Sequence, residues 1–371
     1  MKDIIINLEL TSRCNRKCIV CPQGNPDTGI VRKDMSLDGF KRVLGRIEEA
    51  ADQGLFVREI INSGYGESVL HREFSAIMDM YKEFGRTYRE RYSRDIAVSV
   101  VTNGSMLTRN NLEKISGAAD ILKFSFPSPD PSHYGILMYR DASRGPELLD
   151  RAAAGLKRAM EFSRTGKLKE LRVHISPPHA LSFADFDSTV DYLTQTACTA
   201  GLKHIKIVTF PSTSNRGGSI HNRDFINSFY SSHKKKYKNR KKNGVLIEMI
   251  SELSVFYPRY IDVLSVLKHR FPCLWKGGSI SIDSSGRYRV CINDFETHTE
   301  MGTVEKHRIS EVRIRLERIG ETPNCRKCNE NPKHMNANFI QKLYNVLSRA
   351  AIGFNSLSGC INRGKRPVRT R

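Results

Sequence analysis

Over about the first 215 residues, short apolar runs rich in β-branched residues alternate with longer stretches whose apolar residues recur at a spacing near 3.6. The runs are Ile4 to Leu10, Val57 to Asn62, Ile96 to Thr102, Ile121 to Phe126, Leu171 to Ile175 and Ile205 to Phe210. The first amphipathic stretch opens at Ser36, a residue suited to cap a helix, and then places Phe40, Val43, Leu44 and Ile47 on one face. Further helices are expected near Asn110 to Ile115, Glu147 to Phe162 and Asp185 to Thr196. Strand and helix in regular alternation imply parallel strands joined by right-handed crossovers. Six such units in an α/β chain fit a partial (βα)6 TIM-type barrel better than a closed barrel of eight. Pattern alone leaves a doubly wound sheet open.

The pattern breaks after Phe210. PSTSNRGGS has the composition of a loop, and HKKKYKNRKK at 233–242 follows it with seven cations. Apolar, helix-like stretches continue to about Phe271. Beyond them, Ser279 to Ile282 and Arg287 to Ile292 flank a DSSG turn signal at Gly286, which predicts a hairpin. The expected organisation is a barrel over 1–220, a basic helical insertion over 221–270, a small cysteine-rich hairpin and helix domain over 271–335, and a C-terminal helix with a basic tail over 336–371.

Composition sharpens this picture unevenly. Sixty Lys and Arg against 39 Asp and Glu give 371 residues a net charge of +21. That balance suits nucleic acid, an acidic or phosphorylated small molecule, or an acidic protein, and does not choose among them. No apolar run reaches the ~20 residues of a membrane span, and the N-terminus lacks a secretory pattern. A cytoplasmic location, away from the membrane, is therefore expected. The nine cysteines are more informative. An odd number without a secretory signal argues against a disulfide framework, and seven fall into two groups.

Cys14, Cys18 and Cys21 form C-x3-C-x2-C directly after the first strand. Thiolates at this spacing bind an iron–sulfur cluster or zinc. Three on one loop can hold three corners of a cubane [4Fe–4S] cluster and leave the fourth iron open. Zinc would want a fourth ligand, and the nearest histidine, His71, lies 50 residues beyond Cys21. The second group is Cys273, Cys291, Cys325 and Cys328, spaced C-x12-G-x4-C and then C-x2-C. The hairpin would bring Cys273 and Cys291 to one end, where the Cys-x2-Cys knuckle closes the site. Four thiolates suit zinc or a fully ligated [4Fe–4S] cluster.

The first group, with Val20 at the apolar position before Cys21, resembles the signature of the radical S-adenosylmethionine (SAM) superfamily. The resemblance covers roughly residues 1 to 220. It implies a partial barrel whose open iron chelates SAM; reductive cleavage then yields a 5′-deoxyadenosyl radical that abstracts hydrogen from a substrate. Gly64 to Ser68, GYGES, resembles the family's Gly-Gly-Glu element, which implies that Gly66 and Glu67 receive the SAM amino group. Thr102-Asn103-Gly104 is similar to the family's turn beneath SAM. Ser125, in KFSFPSPD, falls where a family serine contacts the SAM ribose or carboxylate. Arg216 lies in a loop where related enzymes often carry a substrate-contacting arginine. An electron donor such as flavodoxin or ferredoxin is the implied partner.

The second cysteine group resembles the twitch domain, the shortened form of the SPASM domain. That implies an auxiliary [4Fe–4S] cluster with no open iron, suited to accept an electron. The combination is similar to aminocyclitol dehydrogenases. It leads us to expect an oxidoreductase acting on an alcohol carbon of a sugar, aminocyclitol or nucleoside-like molecule. A peptide or protein maturase is the alternative, disfavoured by the absence of room for a leader-binding domain before Cys14. An epimerase would need a hydrogen donor such as Cys198, which is expected to be a buried small residue. His174 is a further candidate for the barrel interior. A reading of another class is an RNA-binding zinc protein that uses 233–242, where Tyr237 interrupts the cations.

Overall fold

Strand β1 (Ile4–Leu8) has two faces: Ile4, Ile6 and Leu8 join the hydrophobic core, whereas Ile5 and Asn7 point to the opposite side. The same division runs through the computed structural model, which describes residues 3–19, 21–24, 30–175, 183–209, 236–251, 278–291 and 301–319. After β1 come α1 (Leu37–Asp52), β2 (Val57–Asn62), α2 (Phe74–Tyr92), β3 (Ala97–Thr102), α3 (Arg109–Ala118) and β4 (Ile121–Ser125). Then follow α4 (Pro131–Tyr139), α5 (Gly145–Arg164), β5 (Glu170–Ile175), α6 (Phe183–Thr199) and β6 (His204–Thr209). Ser36 caps α1 as expected, its hydroxyl accepting from the Gly39 amide at 3.0 Å. All six anticipated strands are present, paired in parallel and in chain order. A partial barrel, not a doubly wound sheet, is the architecture.

The sheet extends further than six strands. Residues 240–251, inside the stretch expected to be a helical insertion, form a hairpin of β7 (Arg240–Lys242) and β8 (Val245–Ser251). Strand β8 lies parallel to β6. Asn243 and Gly244 make the turn, both at positive φ (51° and 75°), the conformation that an Asn-Gly hairpin turn requires. In VLIEMIS, Val245, Ile247 and Met249 are buried in the core while Leu246 and Glu248 are half-exposed. That is a strand's period of two, within a stretch first read as helical.

The basic run is also less free than its composition suggested. Tyr237 is 4% exposed and packs 6.3 Å from Phe186, so its ring is closed to a stacking base. Lys236 pairs with Asp187 at 2.5 Å, and Lys242 pairs with Asp191, both on α6.

At the other edge, the expected hairpin appears as β9 (Ser279–Ile282) and β10 (Tyr288–Arg289). Strand β9 pairs in parallel with β1, Asn7 standing opposite Ser281. Residues 279–289 therefore extend the barrel sheet beyond β1. Helix α7 (Ile309–Arg318) packs against α1, and Arg46 on α1 donates to the Val304 and Glu305 carbonyls at 2.7 and 2.9 Å.

The core lies between the outer sheet face and the helices. The inner face mixes charged and polar side chains with Ile5, Ile61, Ile121 and Val208. Glu59 accepts from Lys123 Nζ at 2.9 Å and from the Ser99 hydroxyl. Further round, Glu170 pairs with Arg172 and with Lys206, and Glu248 pairs with His204 at 3.2 Å. No helix of the described residues is long and apolar enough to cross a membrane.

Candidate active site

The loop after β1 is held before any ligand is considered. Thr11 bridges to Asp34, and its hydroxyl donates to Asp34 Oδ1 at 2.6 Å. Arg13 forks onto the same carboxylate, Nε at 2.9 Å and Nη2 at 2.7 Å, and reaches the Leu70 carbonyl. Burial disfavours the charged form of Asp34, but the Arg13 and Thr11 hydrogen bonds outweigh it and hold the carboxyl below its usual range. The Ser12 amide donates to the Lys33 carbonyl and its hydroxyl to the Val31 carbonyl. On the other side, the Lys17 and Ile19 amides donate to the Met138 and Leu137 carbonyls at the end of α4, both at 3.0 Å.

These anchors present Cys14, Cys18 and Cys21 half-buried, none of them in a disulfide. Burial, then the Glu67 charge, pushes Cys14 up to about 12; burial, then Cys21 and Cys14, pushes Cys18 well above its usual range. The three thiols are thus close enough to influence one another's charge. Metal uptake must displace their protons, and a thiolate set is the donor chemistry an iron–sulfur cluster takes. Among the described residues no three ligating side chains converge on the scale of a single ion. A cubane takes its thiolates at separate corners, so the residues present fit it. His71 is committed elsewhere: its Nε2 donates to the Met35 carbonyl at 2.8 Å and its Nδ1 accepts from the Glu73 amide.

The β2 and β3 loops close on this one. The Glu67 amide donates to the Arg13 carbonyl at 2.9 Å. Glu67 is 3% exposed, and its carboxylate accepts from the Thr102 hydroxyl and the Asn103 amide, both at 2.7 Å. Burial raises its pKa, and these two hydrogen bonds oppose that rise. The Asn103 side chain donates to Asn15 Oδ1 at 3.0 Å and accepts from Ser105. The Gly-Tyr-Gly-Glu and Thr-Asn-Gly elements thus brace the cysteine loop through one hydrogen-bonded chain.

Gly66 is dictated by that bracing. A Cβ there would come within 1.9 Å of the Thr11 carbonyl oxygen. Gly66→Ala is expected to destabilise the protein by about 1–3 kcal/mol through overpacking. Urea denaturation measures this, and an unchanged midpoint would mean that the loop yields without cost.

The structure places the other candidates as follows. Ser125 ends β4, half-buried, in register with His174 on β5. His174 is 5% exposed on the inner face; burial, then Lys123 and Arg172, drives its pKa well below the ordinary value, so it is neutral at pH 7. Cys198 is exposed on α6, not buried as expected. Cys291 stands half-buried just after β10. Val20, Arg216, Cys273, Cys325 and Cys328 lie outside the described residues.

Several contributors had no sequence signal. Asp34 is one, since nothing local marks a residue that pairs across more than twenty positions. Glu9 is another: it is 7% exposed and accepts from the Tyr65 and Ser284 amides. Asn7 and Ser281, opposite one another on the inner face, bury Nδ2 and Oγ without a hydrogen-bond partner among the described residues.

Comparisons with known proteins fall on the same stretch. Residues 8–168 match the family model of the radical SAM superfamily. The chain is 30% identical over 119 residues to a tungsten-containing aldehyde ferredoxin oxidoreductase cofactor-modifying protein of Pyrococcus furiosus, covering 32% of this chain and 29% of that protein. It is 27% identical over 128 residues to an S-adenosylmethionine-dependent nucleotide dehydratase of Selenomonas ruminantium, covering 34% and 40%. The chain thus spans less than half the length of these curated relatives. In fold it resembles Streptococcus suis SuiB bound to S-adenosylmethionine, with a TM-score of 0.54 and 14% identity, over 89% of this chain and 71% of that one. It also resembles anSMEcpe with bound AdoMet, with a TM-score of 0.52 and 14% identity, over 87% and 86%. Cysteine loop, parallel barrel and sequence match coincide in residues 8–168, the stretch that matches the radical SAM superfamily.

Proposed function

We propose that this radical SAM enzyme is an oxidoreductase that removes hydrogen from an alcohol carbon of a sugar, aminocyclitol or nucleoside-like substrate. In this reading Cys14, Cys18 and Cys21 hold the cluster that binds SAM, and Cys273, Cys291, Cys325 and Cys328 hold an auxiliary [4Fe–4S] cluster. When bound, the first cluster supplies the electron that cleaves SAM, and the second takes up the electron that the substrate gives back. The observation that supports this most is the pairing of β9 with β1. The segment that leads to Cys291 is part of the same wall as the strand that leads to Cys14.

The chain's own residues then have these roles. Glu67, already oriented by Thr102 and Asn103, keeps lone pairs free for the SAM ammonium. Ser125 faces the ribose or carboxylate, and Arg216 orients the substrate. The polar groups of the inner face, with Asn7 and Ser281 unfilled, offer hydrogen bonds to a hydroxylated substrate. A nucleoside-like substrate also draws support from the Selenomonas ruminantium relative, named for a nucleotide. A peptide substrate is the second reading, since one similar solved structure, anSMEcpe at a TM-score of 0.53, holds a peptide beside AdoMet.

Anaerobic reconstitution tests the proposal. The expected result is about eight iron per chain, with SAM cleaved to 5′-deoxyadenosine after reduction. Cys325→Ala should retain about four iron and uncoupled SAM cleavage but lose substrate oxidation. Zinc in place of the auxiliary iron, or undiminished oxidation by Cys325→Ala, would overturn the electron-acceptor role.

A further inference from the structure

Arg16 occupies the middle of the spacer between Cys14 and Cys18 and is 2% exposed. A guanidinium remains protonated at every relevant pH, so this loop carries a full positive charge out of water. The other spacer residues do not. Asn15 is neutral and tied to Asn103 and Ser105, and Lys17 is exposed. The contacts of Arg16 are neutral as well. Nη2 donates to the Leu148 carbonyl at 3.2 Å, and the guanidinium carbon lies 5.9 Å from the centre of the Tyr134 ring. Nε makes no hydrogen bond to any described residue. Glu67 is near enough to feel the charge, but among the described residues no carboxylate forms an ion pair with Arg16.

An unpaired buried cation is costly, and one with an unfilled donor beside three thiols is poised for an anion. A cubane core on three thiolates has one net negative charge when oxidised and two when reduced, and net charge is among the factors that set cluster potentials. We propose that Arg16 is the counter-cation of the three-thiolate site and favours the reduced state of a cluster held by Cys14, Cys18 and Cys21. The proposal rests on the reading of that loop as cluster-binding. The step is uptake of one electron from a low-potential donor, a flavodoxin- or ferredoxin-class protein in the cell and dithionite in the test. No proton moves, because the guanidinium neither gains nor loses one. Arg16 is a positioning charge, not a group that touches the reacting atoms.

The test is an anaerobic redox titration of the reconstituted parent, Arg16→Lys and Arg16→Gln, followed by electron paramagnetic resonance. The signal that changes on adding SAM reports the three-thiolate cluster. At a fixed potential, Arg16→Gln is expected to lower the ratio of reduced to oxidised cluster about tenfold, a midpoint about 59 mV more negative for one electron. Arg16→Lys should stay near the parent. Equal midpoints for Arg16→Gln and the parent would overturn the proposal, as would a Lys variant that falls with the Gln variant. If Arg16→Gln takes up no iron while Arg16→Lys does, charge is again decisive and the proposal stands. If both lose iron with native circular dichroism, the Nη2 hydrogen bond to Leu148 matters and the charge does not. Absence of iron from the parent would refute the cluster reading itself, which iron analysis reveals before any potential is measured.

Discussion

Replacing Cys14, Cys18 and Cys21 together by Ala is expected to abolish reductive SAM cleavage and to lower bound iron from about eight to about four per chain. The loss should be chemical, not structural. The loop is fixed by contacts that need no sulfur: the Arg13 fork on Asp34, the Ser12 pairing with Lys33, and the Lys17 and Ile19 amides on the end of α4. Its thiols are half-buried, so trimming each to a methyl group removes little packing. The variant should therefore unfold close to the parent when both are compared without cluster. Detectable 5′-deoxyadenosine from the triple variant after anaerobic reduction would end the assignment of these cysteines. A large drop in the unfolding midpoint would instead mean that the sulfurs are structural.

The second large effect concerns the inner wall. Lys123 is 5% exposed at its side chain and pairs with Glu59 at 2.9 Å. Burial alone would raise the pKa of Glu59, but the Lys123 charge and the hydrogen bonds from Ser99 and Lys123 outweigh it and hold the carboxyl below its usual range. Lys123→Met removes the cation and leaves the carboxylate in place, a loss of about 3–5 kcal/mol for a broken buried pair. Adding Glu59→Leu to that variant should recover much of the loss, because an apolar pair of similar volume has no charge to desolvate. The pH dependence separates this from a cavity effect. In the parent, a carboxyl with a lowered folded pKa contributes stability that is present above its unfolded value and lost as pH falls through the folded one. In Lys123→Met, only the Arg172 charge and the Ser99 hydrogen bond are left to oppose burial at Glu59, so its folded pKa rises above the parent's and protonation relieves the penalty. The two proteins should thus converge in stability between pH 7 and pH 4 in urea denaturation. A gap that stays constant over that range would assign the loss to packing.

What the sequence made legible depended on how local the cause was. The strand runs and the Ser36 cap were readable because period and cap chemistry act within a few residues. The cysteine loop stood out because its spacing is a local pattern. Strand β8 was missed although Asn243-Gly244 announced a hairpin, since the surrounding apolar stretches suggested helix. The burial of Tyr237 depends on Phe186 and Asp187, roughly fifty residues earlier on α6, which no charge run reveals. Glu67 stands out in the sequence by its motif, but its bonds to Thr102 and Asn103 join two motifs that sequence shows only separately. The pairing of Arg13 with Asp34 and the burial of Arg16 arise from the third dimension alone.

The seam between β1 and β9 has a consequence for how the chain is made. It joins residues about 270 positions apart, so the strand that leads into the cysteine loop gains its second neighbour only late in synthesis. Until then one side of β1 is a bare row of amides and carbonyls, open to pairing with another chain. A fragment that ends after β6 would keep every motif of the SAM-binding half and still expose that edge. Its failure would be aggregation during biosynthesis, visible as inclusion bodies, rather than any defect in its chemistry.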